Sequence, residues 1–156
     1  MNATRHRLPE DARGRLIKVL NARLADMLDL KAQTKQAHWN VRGQTFIALH
    51  ELFDKLAGEL DGWADDIAER AIQFGGPARG SLRDVVGASA FTELPADTTD
   101  WRRWVDHLAT LYGKSGTALA ASIKEAEAVG DAGTADLFTG ISQGVDKALW
   151  FLEAHL

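Results

Sequence analysis

Apolar residues recur along this chain at intervals of three and four, which places them on one face of an α-helix. We predict a first helix from about Pro9 to Val41, with its apolar stripe formed by Leu16, Leu20, Leu24, Met27 and Leu28. A second helix is predicted from near Thr45 to about Phe74. Glycine follows each of them, at Gly43 and at Gly75, which is a common way for a helix to end.

The second half of the chain repeats this arrangement after a long connection, residues 75–99. Within it, Ser81–Asp84 resembles a capping box and predicts a short helix around Leu82–Ala90. A third long helix, capped within residues 97–100, and a fourth, after a turn between Gly130 and Gly133, complete the pattern. We therefore predict one all-α domain over residues 1–156. It is a ferritin-like four-helix bundle whose long crossover carries a short extra helix between helices 2 and 3. Residues 1–8 are expected to form a short flexible N-terminal arm.

Composition narrows the function classes. The chain of 156 residues is 46% hydrophobic and 26% charged and has no cysteine, which removes disulfides, zinc–thiolate sites, iron–sulfur clusters and thiol nucleophiles. No apolar stretch is long enough to predict a membrane span, and the polar, basic start predicts no secretory signal. The expected compartment is the cytoplasm.

The charge is unevenly distributed. The chain carries a net −4, but residues 1–18 hold five basic and two acidic residues, a balance of +3, so the rest carries −7. The sequence therefore predicts an acidic body with a short basic arm. An acidic body is a poor match for polyanions.

The second predicted helix has two distinct faces, one apolar and one with side chains of the types that bind metal ions. At about 100° per residue from Phe46, the apolar residues Leu49, Phe53, Leu56, Leu60, Trp63 and Ile67 cluster between roughly 260° and 340°. The ligand-type residues His50, Asp54, Asp61, Asp65 and Glu69 fall between roughly 40° and 140° by the same geometry. Gly58 and Gly62 lie beside this second set. The helix thus carries a core stripe and a stripe of ligand-type residues.

The spacing within the second stripe predicts a site shared by two subunits. His50 and Asp54 are one turn apart, as are Asp65 and Glu69, so each pair can converge on one point. The pairs themselves are separated by about 16 Å along the helix axis, too far for a single metal ion. Two antiparallel copies crossing near the glycines would bring the first pair of one chain to the second pair of the other, twice per dimer.

His38 extends this ligand set. It lies in the last turn of the first helix, and the reversal at Arg42–Gly43 brings it close to His50. Two imidazoles and three carboxylates suit iron(II), manganese or zinc, and the ligand types alone do not choose among them. Taken singly, each residue also has an ordinary interpretation: His38 as a packed or capping histidine, the carboxylate pairs as a solvated face, Asp131 and Asp136 as turn and cap residues.

The motifs together resemble those of the Dps family (DNA-binding proteins from starved cells). The resemblance rests on Lys35-Gln36-Ala37-His38-Trp39-Asn40-Val41-Arg42-Gly43, Phe46, Leu49-His50-Glu51, Asp54 and Asp65-Asp66-Ile67-Ala68-Glu69-Arg70. It extends over nearly the whole chain, through Thr134-Ala135-Asp136 to Asp146-Lys147-Ala148-Leu149-Trp150-Phe151-Leu152-Glu153.

The resemblance implies a ferroxidase in a shell of twelve subunits. The site would use His38, His50 and Asp54 of one chain with Asp65 and Glu69 of its neighbour. It would oxidise iron(II) with hydrogen peroxide or dioxygen, store ferric oxyhydroxide and limit oxidative damage. Iron is thus the only implied cofactor, with no organic one.

The resemblance also implies roles for residues outside the metal site. Trp39 matches an aromatic residue that intercepts oxidising equivalents, and Asp131 and Asp136 match residues of the iron-entry pores. A further acidic pore position of some members corresponds to Gly140, which departs from that pattern.

The implied DNA interaction is weak or absent. DNA-binding members usually carry a longer, lysine-rich tail, whereas the arm offers Arg5, His6 and Arg7 before Pro9. Twelve subunits at −4 each would carry −48. If DNA is bound, the protein would associate with the nucleoid.

Two alternative interpretations of the function stay open. One is a structural or DNA-compacting shell with little ferroxidase activity. The other is a di-iron oxidase with its site inside each bundle, for which the chain lacks the Glu-x-x-His motif.

Overall fold

The computed structural model describes all of residues 1–156 and contains five helices and no strands. They are α1 (Glu10–Asn40), α2 (Phe46–Gln73), α3 (Leu82–Ala88), α4 (Trp101–Ala128) and α5 (Ala132–Glu153). The predicted all-α class and helix order are confirmed. None of the helices has the length and apolar character needed to cross a membrane. The short helix ends two residues before the predicted Ala90, because Ser89 adopts an extended backbone conformation.

The long helices form two antiparallel hairpins, α1 with α2 and α4 with α5. The hairpins pack through α1 against α4 and α2 against α5, and α3 lies against α1. A continuous apolar core of 30 buried residues joins them. Burial of apolar surface of this kind is the main favourable contribution to folding. Five of the six predicted core positions of α2 are fully buried, while Trp63 is half-buried.

Trp63 of α2 packs against Gly144 of α5. Its ring crosses Gly144, where an added Cβ would lie only 2.3 Å from the indole. Because residue 144 is a glycine, there is room for the Trp63 side chain between the two helices. At the other corner, Gly43 has φ +115°, a backbone conformation open to glycine, and it turns the chain from α1 into α2.

The helix N-termini use the caps that the sequence predicts. Ser81 and Asp84 form a reciprocal capping box on α3. Asp100 accepts a hydrogen bond from the backbone N–H of Arg102 at 3.0 Å. Asp131 does the same for Thr134 at the start of α5, at 3.1 Å. Each satisfies backbone donors that have no partner inside the helix.

The N-terminal arm contacts the end of the bundle. The backbone N–H of Asn2 donates to the carbonyl of Gly75 at 2.7 Å, and Arg7 pairs with Asp131 at 3.1 Å. The His6 ring meets Phe74 edge-on, with 4.8 Å between centroids. The arm that the sequence describes as flexible thus has several partners in this structure. These partners are distant in sequence, so local composition does not reveal them.

Candidate metal centre

Two histidines meet at the corner between α1 and α2. His38 lies in the last turn of α1 and His50 in the first turns of α2. Their rings stack with 3.7 Å between centroids and 19° between planes. Nδ1 of His38 bonds to the backbone carbonyl of His50 at 2.8 Å, and Nδ1 of His50 bonds to the carbonyl of His38 at 2.9 Å. The predicted proximity of the two histidines is present within one subunit.

This reciprocal pair selects the ring atom that remains free to bind a metal. A carbonyl oxygen only accepts hydrogen bonds, so Nδ1 of each ring must donate its N–H. In the neutral imidazole the lone pair then lies on Nε2. Metal-binding histidines are commonly oriented in this way, with one nitrogen donating to a carbonyl and the other binding the ion. The corner therefore holds two imidazoles in a form suited to metal binding.

Asp54 lies one turn after His50 on the exposed face of α2. Its carboxylate pairs with the ammonium group of Lys35 at 2.6 Å. The hydrogen bond and the charge of Lys35 hold the pKa of Asp54 below its usual value, and the two nearby histidines act in the same direction. The carboxyl group is therefore ionised at neutral pH and available as an oxygen ligand.

Asp65 and Glu69 lie further along the same face and are exposed. The structure does not bring them to the histidines. Within one subunit, no three side chains of His, Asp, Glu or Cys converge closely enough to hold a metal ion. The subunit thus presents the predicted ligands as separate groups on one exposed helix face.

The middle of that face is open in the subunit. A Cβ added at Gly58 or at Gly62 would meet no atom within 4 Å. Between the ligand pairs, Asp61 is in contact with the ammonium group of Lys31 from α1. The subunit therefore supplies no packing reason for either glycine.

The accessory residues fall in different surroundings. Trp39 is 68% exposed, with the Lys35 ammonium 5.8 Å from its ring centroid. Asp136 is exposed on α5. Asp131 is fully buried and pairs with Arg70 at 2.8 Å as well as with Arg7. The cap interpretation of Asp131 is confirmed, while its pore role and that of Asp136 stay predictions.

Lys31 and Lys35 are the residues of this face that the sequence analysis missed. Both lie on α1 at positions that an antiparallel hairpin places beside α2: moving away from the corner, His38 meets His50, Lys35 meets Asp54 and Lys31 meets Asp61. The signal was available in the sequence as two lysines one turn apart, ending one turn before His38.

The bundle and its long crossover define a ferritin-like protein, and comparison with known proteins agrees. Residues 17–156 match the family model of the ferritin-like domain. The DNA protection during starvation protein of Agrobacterium fabrum is 46% identical over 98% of this chain and 94% of its own length.

Comparison with solved structures indicates which family of ferritin-like proteins the chain resembles. DpsC from Streptomyces coelicolor shares 30% identity with a TM-score of 0.95, over 99% of this chain and 90% of that chain. A structure of Dps from Microbacterium arborescens in the high iron form shares 31% identity with a TM-score of 0.89, over 97% of each chain. The chain belongs to the Dps family.

Proposed function

We propose that this protein oxidises iron(II) at sites shared between two subunits and stores the ferric product inside a shell of twelve. The observation that carries the proposal is the reciprocal bonding of His38 and His50, which leaves the two Nε2 atoms free beside an exposed row of carboxylates. Membership of a ferritin-like family supports iron storage and ferroxidase-type activity in general.

The distances favour a site that two subunits complete. Asp54 and Asp65, the nearest members of the two ligand pairs, lie about 16 Å apart along the axis, by the rise of an α-helix. The subunit alone brings no three such groups together. An antiparallel copy of α2 crossing at Gly58 and Gly62 brings the two halves face to face, and the two-fold symmetry generates the site twice.

The chemistry follows from the ligands. Imidazole and carboxylate bind iron(II), and anionic oxygen ligands favour the ferric product. Hydrogen peroxide accepts two electrons, one from each of two ferrous ions, and is reduced to water, which avoids the one-electron route to hydroxyl radical. Dioxygen is the alternative oxidant. Hydrolysis of the ferric ions releases protons and deposits ferric oxyhydroxide, a product suited to an acidic interior.

Mixing two inactive variants tests the shared site. One carries His50→Ala and Asp54→Ala, and the other Asp65→Ala and Glu69→Ala. Each alone should lose ferrous oxidation, followed optically after adding iron(II) and peroxide. Subunits co-refolded at equal amounts form mixed dimers in which one of the two sites is intact, so about one quarter of parental sites should return. A site contained in one chain would regain nothing on mixing.

We further propose that DNA binding is weak or absent at physiological salt. Arg7 of the arm pairs with buried Asp131, and Arg13 donates to the Phe74 carbonyl at 2.8 Å, so part of the small basic charge near the arm is already engaged within the subunit. Non-specific binding depends on such neutralisation and falls with salt. A gel shift that is tight and persists above about 150 mM salt would contradict this.

A further inference from the structure

Of the five predicted ligands, only Asp54 has an ion-pair partner inside the subunit. Its carboxylate accepts a hydrogen bond from Lys35 Nζ at 2.6 Å. The Lys35 side chain is 30% exposed and that of Asp54 is 59% exposed, so the pair lies at the rim of the face rather than in the core. The same ammonium group lies 5.8 Å from the centroid of the exposed Trp39 ring.

We propose that Lys35 is an internal competitor of the metal ion at Asp54. This rests on the proposed function, in which Asp54 is a ligand. The carboxylate oxygen that accepts the ammonium hydrogen bond is an atom that a cation would also use. An ammonium group and a divalent cation a few ångströms apart repel each other. Metal binding therefore weakens or displaces the contact between Lys35 and Asp54.

The competition has two consequences. In the metal-free subunit Lys35 neutralises the charge of Asp54, which lies two turns from Asp61 on the same exposed face. During loading, the energy of the Lys35–Asp54 pair is subtracted from that of metal binding, so the site is weaker than its ligands alone would make it. The Trp39 ring, whose centroid is already 5.8 Å from the ammonium group, can still attract that group when it leaves Asp54, since the face of an indole ring attracts ammonium groups.

The chain offers a matched control. Lys31 lies one turn before Lys35 on α1 and pairs with Asp61, which is not a predicted ligand. Substitution of either lysine removes one positive charge from the same face. Only Lys35 contacts the metal ligand. A difference between the two variants therefore separates direct competition from the general effect of charge.

The test measures Zn²⁺ binding, because zinc is redox-inert and needs no oxidant. Isothermal titration would compare the full-length assembled parent with Lys35→Met, Lys35→Arg and Lys31→Met, after circular dichroism and gel filtration confirm the fold and assembly of each. Lys35→Met should bind about three- to fivefold more tightly, the upper part of the range expected for releasing an exposed ion pair. Lys35→Arg and Lys31→Met should stay within about twofold of the parent.

A second arm asks whether the effect acts through Asp54. In an Asp54→Ala background, adding Lys35→Met should no longer tighten zinc binding, since the partner is gone. Equal or weaker binding by Lys35→Met in the native background would overturn the role of Lys35, as would an equal gain from Lys31→Met. A parent that binds no zinc would instead overturn the proposed function, and the role of Lys35 with it.

Discussion

Asp131 and Asp54 are both carboxylates paired with basic side chains, but their surroundings are opposite. Asp131 has no exposed surface and accepts hydrogen bonds from the backbone and hydroxyl of Thr134, from Arg70 and from Arg7. Asp54 has an exposed side chain and a single partner, Lys35. One carboxylate is fully satisfied within the subunit, and the other retains most of its hydrogen-bonding capacity.

The difference separates structural from functional acidic residues. A buried carboxylate is tolerated only when its charge is compensated, and removing such a group leaves its partners uncompensated. An exposed carboxylate contributes little to folding, so it remains available for a ligand. By this criterion Asp131 maintains the end of the bundle. Asp65 and Glu69 have no ion-pair partner in the subunit, and Asp54 has a single exposed one.

The largest effect is expected from Asp131→Ala. The substitution removes the cap of α5 and leaves the half-buried guanidinium of Arg70 without its carboxylate, so it should lower the free energy of unfolding by about 3 kcal/mol. Urea denaturation at fixed protein concentration measures this. The control is Asp136→Ala on the exposed face of α5, expected within about 0.5 kcal/mol of the parent. Equal losses in both variants would remove the contrast between the two surroundings.

Asp65→Ala should have the opposite effect, with little change in stability and a large loss of metal affinity. This exposed carboxylate lies on the ligand face and has no ion pair in the subunit, so its loss should change the free energy of unfolding by less than about 0.5 kcal/mol. Zinc affinity should fall about 10- to 100-fold, as for loss of a metal ligand or its supporting group. Zinc titration and urea denaturation of the same preparation measure both quantities. Unchanged affinity would exclude Asp65 from the site.

The contribution of Asp131 to the stability of the fold should decrease at acidic pH. Burial tends to raise the pKa of this carboxyl, but hydrogen bonds from Thr134 and Arg70 and the charge of Arg70 outweigh it and hold the pKa below the ordinary 3.8. A lowered pKa stabilises the fold at any pH above 3.8, and that contribution is lost as pH falls through the lowered value. The gap between parent and Asp131→Asn in urea midpoint should thus narrow below about pH 4. A gap that widens in acid would show that the carboxyl is not held ionised.

The smallest effect is expected from Gly58→Ala. Because an added Cβ meets nothing in the subunit, the change should raise helix stability by up to about 1 kcal/mol. If two copies of α2 cross here, the methyl group should also shift gel filtration toward smaller assemblies. Gly113→Ala on α4 is open in the subunit in the same way and should give only the gain in stability. If the Gly58→Ala protein assembles fully, the two copies of α2 do not cross at this position.

Much of the subunit could be predicted because its determinants are local. Helix order and the caps at Ser81, Asp100 and Asp131 each depend on residues a few positions apart, which the sequence displays directly. The two faces of α2 follow from the helical period alone. Even the meeting of His38 and His50 is a local consequence, since a short turn at Gly43 reverses the chain between them.

Other features depended on how the helices are rotated and aligned against one another. The hydrogen bonds that leave Nε2 of both histidines free depend on the orientation of the two rings, which follows from packing rather than from spacing. The pairing of Arg7 with Asp131 joins residues 124 positions apart. Lys35 reaches Asp54 only because α1 and α2 adopt one particular alignment. The sequence by itself thus determined which residues share a face, whereas the tertiary structure decided which of them are already paired, because pairing depends on distances between helices that side-chain packing sets.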